Sequence, residues 1–428
     1  MNADLRSYGG WRERRGFGLA GLSGTQTGSA LAGVVLCLGV ALIRPEALLL
    51  MAVPLAAIVT MVGLRVGGES LATISQRHGR FHWARRRGRL RHRSAESGRL
   101  PGVLAELEVV DATDAAGNAV GLLWLPDRRT LTAAVPLEPL GTELVDAEDL
   151  ETWVCGWSDW LTHLGYTSVV DHVAVTVRTA STGQAARTVL SLTVGHVAAS
   201  SLDRSTAALL DAVGGAQALG ACGMSVLQAL SASEIMTWVR QGYDPTATGV
   251  ATAAADMRPT AVEEGWDSYR HDGWLSAVYA WYEPPGEAIT MPGLARFLGP
   301  ADYHKSVTVV FRPVPAHDAA REVETQAQAA LFRREYRRRL GRDETARDAM
   351  DLRRARGTAE DHAAGAGVVD VALFAVASVR ELASLAPAAA DLENRAGEGR
   401  MRLRRCYGDQ ARGFACALGV GFLPARWW

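Results

Sequence analysis

The sequence predicts an α+β fold, in which βαβ-type units follow an N-terminal transmembrane hairpin of two helices. The membrane part is predicted by two uncharged apolar runs, residues 27–43 and 47–64, and by the arginines that flank them. The rest is predicted by the strand-like and helix-like segments that alternate from Gly102 onward. Alternation of this kind is typical of sheets covered by helices on one face.

Charge is divided unevenly along the chain. The net charge of the 428 residues is −1, but residues 1–100 contain 15 arginines and five acidic residues, so the first hundred carry +10 and the remainder −11. Lys305 is the only lysine, so a coding bias toward arginine makes the arginine content weak evidence for nucleic-acid binding. Five widely spaced cysteines without a CxxC pair argue against a disulfide framework or a zinc site.

The two apolar runs are separated only by Arg44, Pro45 and Glu46. At 1.5 Å per residue, 17 or 18 residues come close to the roughly 30 Å of a hydrocarbon core. The positive-inside rule then puts both termini in the cytoplasm, as a two-pass protein of the cytoplasmic membrane. The alternatives are a buried helical pair and a cleaved signal peptide. The residues predicted to anchor this topology are Arg12, Arg14, Arg15, Arg65, Arg77, Arg80, Trp83, Arg85, Arg86 and Arg87.

Residues 77–99 contain nine arginines and three histidines, together with Phe81 and Trp83. Such a composition can bind nucleic acid through phosphate contacts and stacking. A basic run with aromatics just after a predicted span is also typical of contact with lipid headgroups. The position of the segment favours membrane lipid as the partner over nucleic acid.

Six segments follow from these patterns. Residues 1–26 are a cytosolic N-terminal segment, 27–66 the transmembrane hairpin, and 67–100 a basic juxtamembrane segment. Residues 101–242 form a first α/β cytosolic subdomain, 243–265 a linker without periodicity, and 266–428 a second α/β subdomain. The second subdomain includes a charged helical hairpin over residues 319–358 and a long last helix over residues 380–408.

Within the first subdomain, residues 149–164 place apolar side chains on one face of a helix. Trp153, Trp157 and Trp160 belong to this face, which predicts packing in a core rather than a cofactor site.

Two glycine motifs resemble nucleotide-binding loops and fail on context. Gly16, Gly18 and Gly21 spell GxGxxG, but no strand precedes them. Residues 299–306 approach a P-loop with His304 in place of its second glycine, and an apolar strand rather than a helix follows Ser306. The pairs at 263–264 and 271–272 have no convincing partners. The sequence therefore predicts no catalytic, cofactor-binding or metal-ligating residue, and no enzyme.

Short motifs at both ends of the chain support a family resemblance. The N-terminal Tyr8-Gly9-Gly10-Trp11 precedes residues 16–28, GFGLAGLSGTQTG, and the short hairpin. In the C-terminal half the motifs are residues 266–270 through Trp281, residues 307–314 (VTVVFRPV), residues 319–321, and Tyr407-Gly408-Asp409-Gln410 with Phe414 and Ala417-Leu418-Gly419. Together they resemble an actinobacterial family of conjugation-associated, type IV secretion-like membrane proteins. In that family a two-span hairpin is fused to a domain similar to the N-terminal, non-ATPase part of VirB/TraC-type secretion ATPases.

This resemblance implies a non-enzymatic inner-membrane scaffold that docks a secretion ATPase supplied as a separate chain. The implied partners are that ATPase, other secretion subunits and further copies in an oligomeric assembly. One alternative is a type VII secretion, EccE-like membrane subunit. Another is a membrane-tethered DNA-handling protein, which depends on residues 77–93 and 333–339.

Overall fold

The computed structural model describes residues 7–8, 28, 32–33, 35, 65–66, 69–141, 145–181, 185–283, 289–339, 346–363 and 365–424. The chain divides into two compact units, residues 13–89 and residues 1–12 with 90–428. Each unit is described by itself below.

The described residues of the smaller unit include a two-strand pairing, a long helix and the isolated helical residues 28, 32, 33 and 35. Strand β1, Ser7–Tyr8, precedes this unit along the chain and belongs to the larger one. Strands β2 (Arg65–Val66) and β3 (Glu69–Ser70) pair antiparallel, and helix α1 (Leu71–Arg86) follows directly.

The larger unit begins with β4 (Arg91–Arg93) and the short helix α2 (Ser94–Ser97). The next elements are β5 (Glu108–Thr113), β6 (Ala119–Leu125), β7 (Thr130–Pro139), α3 (Ala147–Thr167), β8 (His172–Thr179), β9 (Arg187–Val194), α4 (Leu202–Gly215), β10 (Met224–Val226) and α5 (Ala232–Tyr243). Short 3₁₀ turns lie at Gly102–Leu104, Pro126–Arg128, Ala199–Ser201 and Ala216–Cys222.

The second half of this unit continues with the same kinds of element. They are β11 (Ala261–Glu264), β12 (Tyr269–His271), β13 (Trp274–Glu283), β14 (Ile289–Thr290), α6 (Met291–Leu298), β15 (His304–Pro313), α7 (Ala316–Arg339), α8 (Ala346–Ala363), β16 (Val369–Val379), α9 (Leu382–Glu398), β17 (Arg402–Arg405) and α10 (Gln410–Ala417).

Thirteen of these strands form one sheet in the order β4-β11-β12-β13-β16-β15-β8-β9-β7-β6-β5, with β17 beside β13 and β10 beside β7. Every described pair in the sheet is antiparallel. Strand β1 pairs with β14 in a separate two-stranded sheet. The larger unit is therefore built on a single wide antiparallel sheet.

The order of elements in this unit is repeated. The first repeat, residues 108–243, runs β5-β6-β7-α3-β8-β9-α4-β10-α5, and the second, residues 261–417, runs β11-β12-β13-α6-β15-β16-α9-β17-α10. The second repeat differs by its β14 and by helices α7 and α8 between β15 and β16. The repeats meet where β8 pairs with β15, and there Thr176 lies opposite Thr308 with 3.0 Å between their hydroxyl oxygens.

The sheet is covered by helices on both faces because its strands alternate apolar side chains between them. On one face, Leu123 packs in a core with Trp238 of α5 and Phe414 of α10. On the other face, the first repeat packs α3 and α4 through residues such as Trp160 and Leu209. The second repeat packs α6 and α9 on that same face.

The chain segment that follows α10 crosses the sheet over a row of hydroxyl side chains. Ser191 donates to the carbonyl of Gly419 at 2.6 Å, and Thr308 donates to that of Ala417 at 2.9 Å. Gly421 has φ +75°, and a Cβ there would lie 1.9 Å from Oγ1 of Thr132. Glycine is therefore required for this close approach.

The prediction of βαβ-type units is wrong. It assumed that a helical hairpin between two strands is a crossover to a parallel neighbour. Strands β15 and β16 flank α7 and α8, and they are adjacent and antiparallel over ten residue pairs. The helical pair is an insertion at the end of a β-hairpin, which needs no crossover. The prediction that helices cover only one face of the sheet is wrong as well, because helices pack on both faces.

The prediction of a two-pass protein of the cytoplasmic membrane is also wrong. Across the described ranges, no helix combines the length and the apolar composition that are needed to cross a bilayer. Residues 27–66, where the hairpin was predicted, lie almost entirely outside those ranges. An uncharged run of 17 or 18 residues permits a crossing without requiring one, because it is at the lower limit of span length.

We expect the replacement Glu264→Gln to stabilise the protein more as the pH rises. Glu264 on β11 accepts a hydrogen bond from the backbone N–H of Ala411, and burial, with help from Asp409, raises its pKa to about 7. A carboxyl with a raised pKa loses folding free energy as the pH rises from its ordinary value toward 7. Glutamine avoids that loss, and its carbonyl can still accept from Ala411.

Urea unfolding of both proteins at about pH 5 and about pH 8 measures this difference. The stability gap should widen by on the order of 1 kcal/mol at the higher pH. Glu263→Gln is the matched control, because Glu263 pairs with Arg91 at a more exposed position. If the difference in unfolding free energy between Glu264→Gln and the wild type is the same at both pH values, the pKa of Glu264 is not raised.

Candidate functional site

The predicted anchor residues all belong to the smaller unit or to residues outside the described ranges. Arg12, Arg14 and Arg15 are not among the described residues, nor are the glycines of the GxGxxG motif. Arg65 lies in β2. Arg77, Arg80, Trp83, Arg85 and Arg86 lie on α1, and Arg87 follows it. The anchor role predicted for these residues depends on the two-pass topology corrected above.

One local cluster does form among them. Trp83 is half exposed, and the guanidinium carbons of Arg87 and Arg89 lie 3.9 Å and 5.1 Å from the centroid of its ring. These are cation–π contacts within one helix and the turn after it. They hold the two guanidiniums against one indole ring.

A cavity of about 550 Å³ lies in the larger unit, where the two repeats meet. Its walls come from the ends of β8, β15 and β16 and from α5 and α10. Residues that line it include Arg178, Arg187, Trp238, His304 and Leu418. We call it the central cavity. Its volume is within the roughly 300–1,000 Å³ that is usual for small-molecule sites.

Arg178 is held rigidly in the wall of this cavity. Its guanidinium carbon lies 3.5 Å from the centroid of the Trp238 ring, and Trp238 is only 1% exposed. Nη1 donates to the carbonyl of Trp238 at 2.6 Å, and Nη2 donates to the carbonyl of Leu418 at 3.2 Å. Leu418 is the C-cap residue of α10, so a cation here meets the negative end of a helix dipole.

The protein does not satisfy the whole guanidinium. The Nε atom of Arg178 is buried and has no hydrogen-bond partner within the described structure, and the same holds for Oγ1 of Thr179. An unpartnered buried donor costs about 1–3 kcal/mol, and more when it is charged. Burial, followed by the charge of Arg187, lowers the pKa of Arg178 to about 9, which still leaves it cationic at neutral pH.

Arg187 gives the cavity a second cation. It is the first residue of β9 and is exposed, and its guanidinium carbon lies 5.5 Å from the same Trp238 ring. Its Nη1 donates to the side-chain carbonyl of Gln241 at 2.6 Å. Two arginines thus converge on one tryptophan. Among the described residues that line the cavity there is no Asp or Glu.

His304 and Lys305 also line the cavity, at the position of the degenerate P-loop motif. The ammonium of Lys305 donates to the carbonyls of Phe297 and Gly299, so it caps the C-terminus of α6. Burial lowers the pKa of Lys305 to about 8, and burial with the charge of Arg380 lowers the pKa of His304. Strand β15 begins at His304, so no helix start is available to cradle a phosphate.

A buried hydrogen-bond chain reaches the cavity wall from the pair at 271–272. His271 is fully buried, and its Nδ1 faces the carbonyl of Tyr243, which can only accept. Nδ1 therefore carries the proton, and Nε2 accepts from Ser276 at 2.7 Å. Ser276 in turn accepts from Ser378, which lines the cavity, at 2.7 Å. Ser276 and His271 are both fully buried, so substrate cannot reach them as a nucleophile and its base. Their hydrogen bond orders the core instead.

No group of three or more His, Cys, Asp or Glu side chains in the described part of the chain is placed to hold a metal ion. What the central cavity offers chemically is two guanidiniums beside an aromatic wall, that of Arg178 buried and that of Arg187 exposed. Such a site can hold an anion through charge-assisted hydrogen bonds.

Sequence reasoning missed both main residues of this site. Nothing in the sequence joins Arg178 to Trp238, which are sixty residues apart. The available signal was Arg178 directly after the run Val173-Ala174-Val175-Thr176-Val177. That signal indicates a site only when the strand's neighbours are known.

Comparisons with known proteins add no function. No protein-family model and no curated protein matches the chain. Among solved structures, the crystal structure of aclacinomycin oxidoreductase is similar at 10% sequence identity and a TM-score of 0.26. The match covers 69% of this chain and 56% of that one. Similarity this low supports no conclusion about the present protein.

We expect His271 to stay neutral well below the usual pKa of histidine. Burial is the main cause that lowers its pKa to about 4. In NMR spectra of the protein with ¹³C-labelled histidine, the His271 signal should therefore begin to move only near that pH. His271→Gln identifies the signal by its loss, and the exposed His163 serves as an internal control. A His271 midpoint near the ordinary value for histidine would contradict the buried hydrogen-bond chain.

Proposed function

We propose that this protein binds a small organic anion, with a carboxylate or phosphate group, in the central cavity. The proposal rests on Arg178, a guanidinium in the cavity wall whose Nε is buried and unpartnered, and on a described cavity lining that contains no carboxylate. Arginine is suited to this role because its planar fork matches the oxygens of both groups.

A purely structural role for Arg178 accounts for part of this arrangement. Its bonds to two carbonyls tie α5 and the end of α10 to the sheet. That role does not require a second arginine on the same tryptophan ring, and it leaves Nε without a partner. An anion between the two arginines relieves their mutual repulsion.

The rest of the cavity favours an anion that also carries an apolar group. Its lining includes Val376, Phe414 and Leu418, and the two arginines occupy only one part of it. Apolar walls with a few convergent polar groups are the usual composition of a small-molecule site. Phenyl phosphate and benzoate are therefore suitable probes.

Isothermal titration calorimetry of the full chain with these two probes at low salt tests the proposal. We expect measurable binding of at least one, weakened about tenfold or more by Arg178→Gln, because a charge-assisted hydrogen bond contributes about 1.5–3 kcal/mol. Arg187→Gln should weaken binding as well, and it keeps the bonds of Arg178 to α5 and α10.

Arg338→Gln is the matched control, since Arg338 is an exposed arginine on α7 that pairs with Glu335 and does not line the cavity. The urea concentration at the midpoint of unfolding is measured for each variant. A variant that binds more weakly but keeps its midpoint has lost binding and not folding. If neither probe binds, or if binding is equal in all three variants, the proposal fails.

The role implied by the family resemblance stays a prediction. In that role the chain is a non-enzymatic subunit of a conjugation-like secretion apparatus and docks a separate ATPase. The type VII-like and DNA-handling alternatives also stay predictions.

Gentle affinity purification of the full chain from its native cells tests the docking role. We expect a P-loop ATPase to be recovered with the wild type and with Arg178→Gln alike, because ligand binding and docking are separate properties. Recovery of the chain without an ATPase or another secretion subunit would count against the role.

A further inference from the structure

Helices α7 and α8 contact each other, and we call this pair the arm, residues 316–339 and 346–363. Its base packs on the rest of the unit through Ala319 and Val323. Farther along α7, Ala330 is buried while its neighbours Leu331 and Phe332 are 47% and 65% exposed. Exposed adjacent apolar side chains on a charged helix are candidates for a contact surface.

The arm is basic on an acidic body. Residues 333–356 contain ten arginines and five acidic residues, a local charge of +5, although residues 101–428 as a whole carry −11. Arg338 and Arg339 are about four-fifths exposed. The exposed apolar pair is therefore followed directly by a positive stretch, which fits a partner surface that is apolar in the middle and acidic at its rim.

Such a surface exists on the same protein, between α3 and α4. This groove has a volume of about 900 Å³, and its walls are rich in alanine and glycine with Trp160 and Leu164 beneath. Asp159 and Asp211 line it and are exposed. Helices α3 and α4 together contain six acidic residues and one arginine. The apolar walls of the groove suit Leu331 and Phe332, and its acidic residues are complementary in charge to Arg338 and Arg339.

The arm of the same chain leaves from the wrong side of α3 to reach this groove. Thr162 accepts a hydrogen bond from the backbone of Gly367 at the arm's base, and Gly165 lies against the carbonyl of Val314. At about 100° per residue, Gly165 is about 200° around the helix from His163, which lines the groove. The groove therefore faces away from its own arm.

We infer that the arm of one copy inserts Leu331 and Phe332 into the α3/α4 groove of a second copy. The exposed Arg338 and Arg339, which follow on α7, then meet Asp159 and Asp211. The contact is heterologous, since arm and groove are different surfaces, and each bound copy still offers a free arm or a free groove. Rings or open chains of copies follow from such a contact. This inference is independent of the anion site.

Sedimentation velocity of the full chain with two variants tests the contact. The arm variant is Leu331→Asp with Phe332→Asp, and the groove variant is Asp159→Arg with Asp211→Arg. We expect the wild type to form assemblies that grow with concentration and dissociate at high salt, because exposed charge pairs are screened. Each variant alone should be a monomer.

The decisive sample is an equal mixture of the two variants. The arm variant keeps an intact groove, and the groove variant keeps an intact arm, so the mixture should form a heterodimer of twice the monomer mass and stop there. Leu382→Asp is the matched control, because Leu382 is 67% exposed on α9 and should assemble like the wild type.

Three outcomes overturn the inference. They are a wild type that stays monomeric at all concentrations, variants that still assemble by themselves, and a mixture that stays monomeric while both variants remain folded by circular dichroism. An arm-to-arm contact gives the second outcome for the groove variant, so it is distinguished from the arm-in-groove contact.

Discussion

The antiparallel pairing of β8 with β15 is the interaction on which the larger unit depends. Seven residue pairs join the two strands, and through them the two repeats share one sheet. Thr176 and Thr308 lie opposite each other at this seam, and their hydroxyls are hydrogen-bonded. Thr308 also donates to the carbonyl of Ala417 at the end of α10. Because the seam is in the middle of the sheet, both of its faces are covered by helices and its backbone is paired on both sides.

The position of the central cavity follows from that seam. Joining the repeats brings α5 and α10, the last helix of each repeat, side by side on one face of the sheet. The carbonyl of Trp238 in the middle of α5 and that of Leu418 at the end of α10 both accept hydrogen bonds from Arg178. They stabilise a guanidinium in a cavity whose described lining contains no carboxylate. The same arrangement leaves a cavity at the seam with cations and apolar side chains in its walls. An anion is the natural complement of such a site.

The larger unit contains both an acidic region and a basic region, which its net charge does not reveal. Helices α3 and α4 are acidic, whereas the arm inserted between β15 and β16 is basic over residues 333–356. The insertion is tolerated because β15 and β16 still pair over their full length beneath it. A long insertion at the end of a hairpin costs the sheet little and can carry a contact surface away from the body.

The sequence by itself determined the local structure of its most periodic segments. The helix predicted over residues 149–164 lies within α3, because side-chain periodicity specifies which face of a helix is buried. It did not determine strand direction, since a helical hairpin between strands suits either a crossover or an insertion. The last helix, predicted to reach residue 408, ends at Glu398, because β17 pairs with β13. Only the tertiary structure decided that pairing, and only it placed Arg178 against Trp238, because both depend on contacts between residues far apart in the chain.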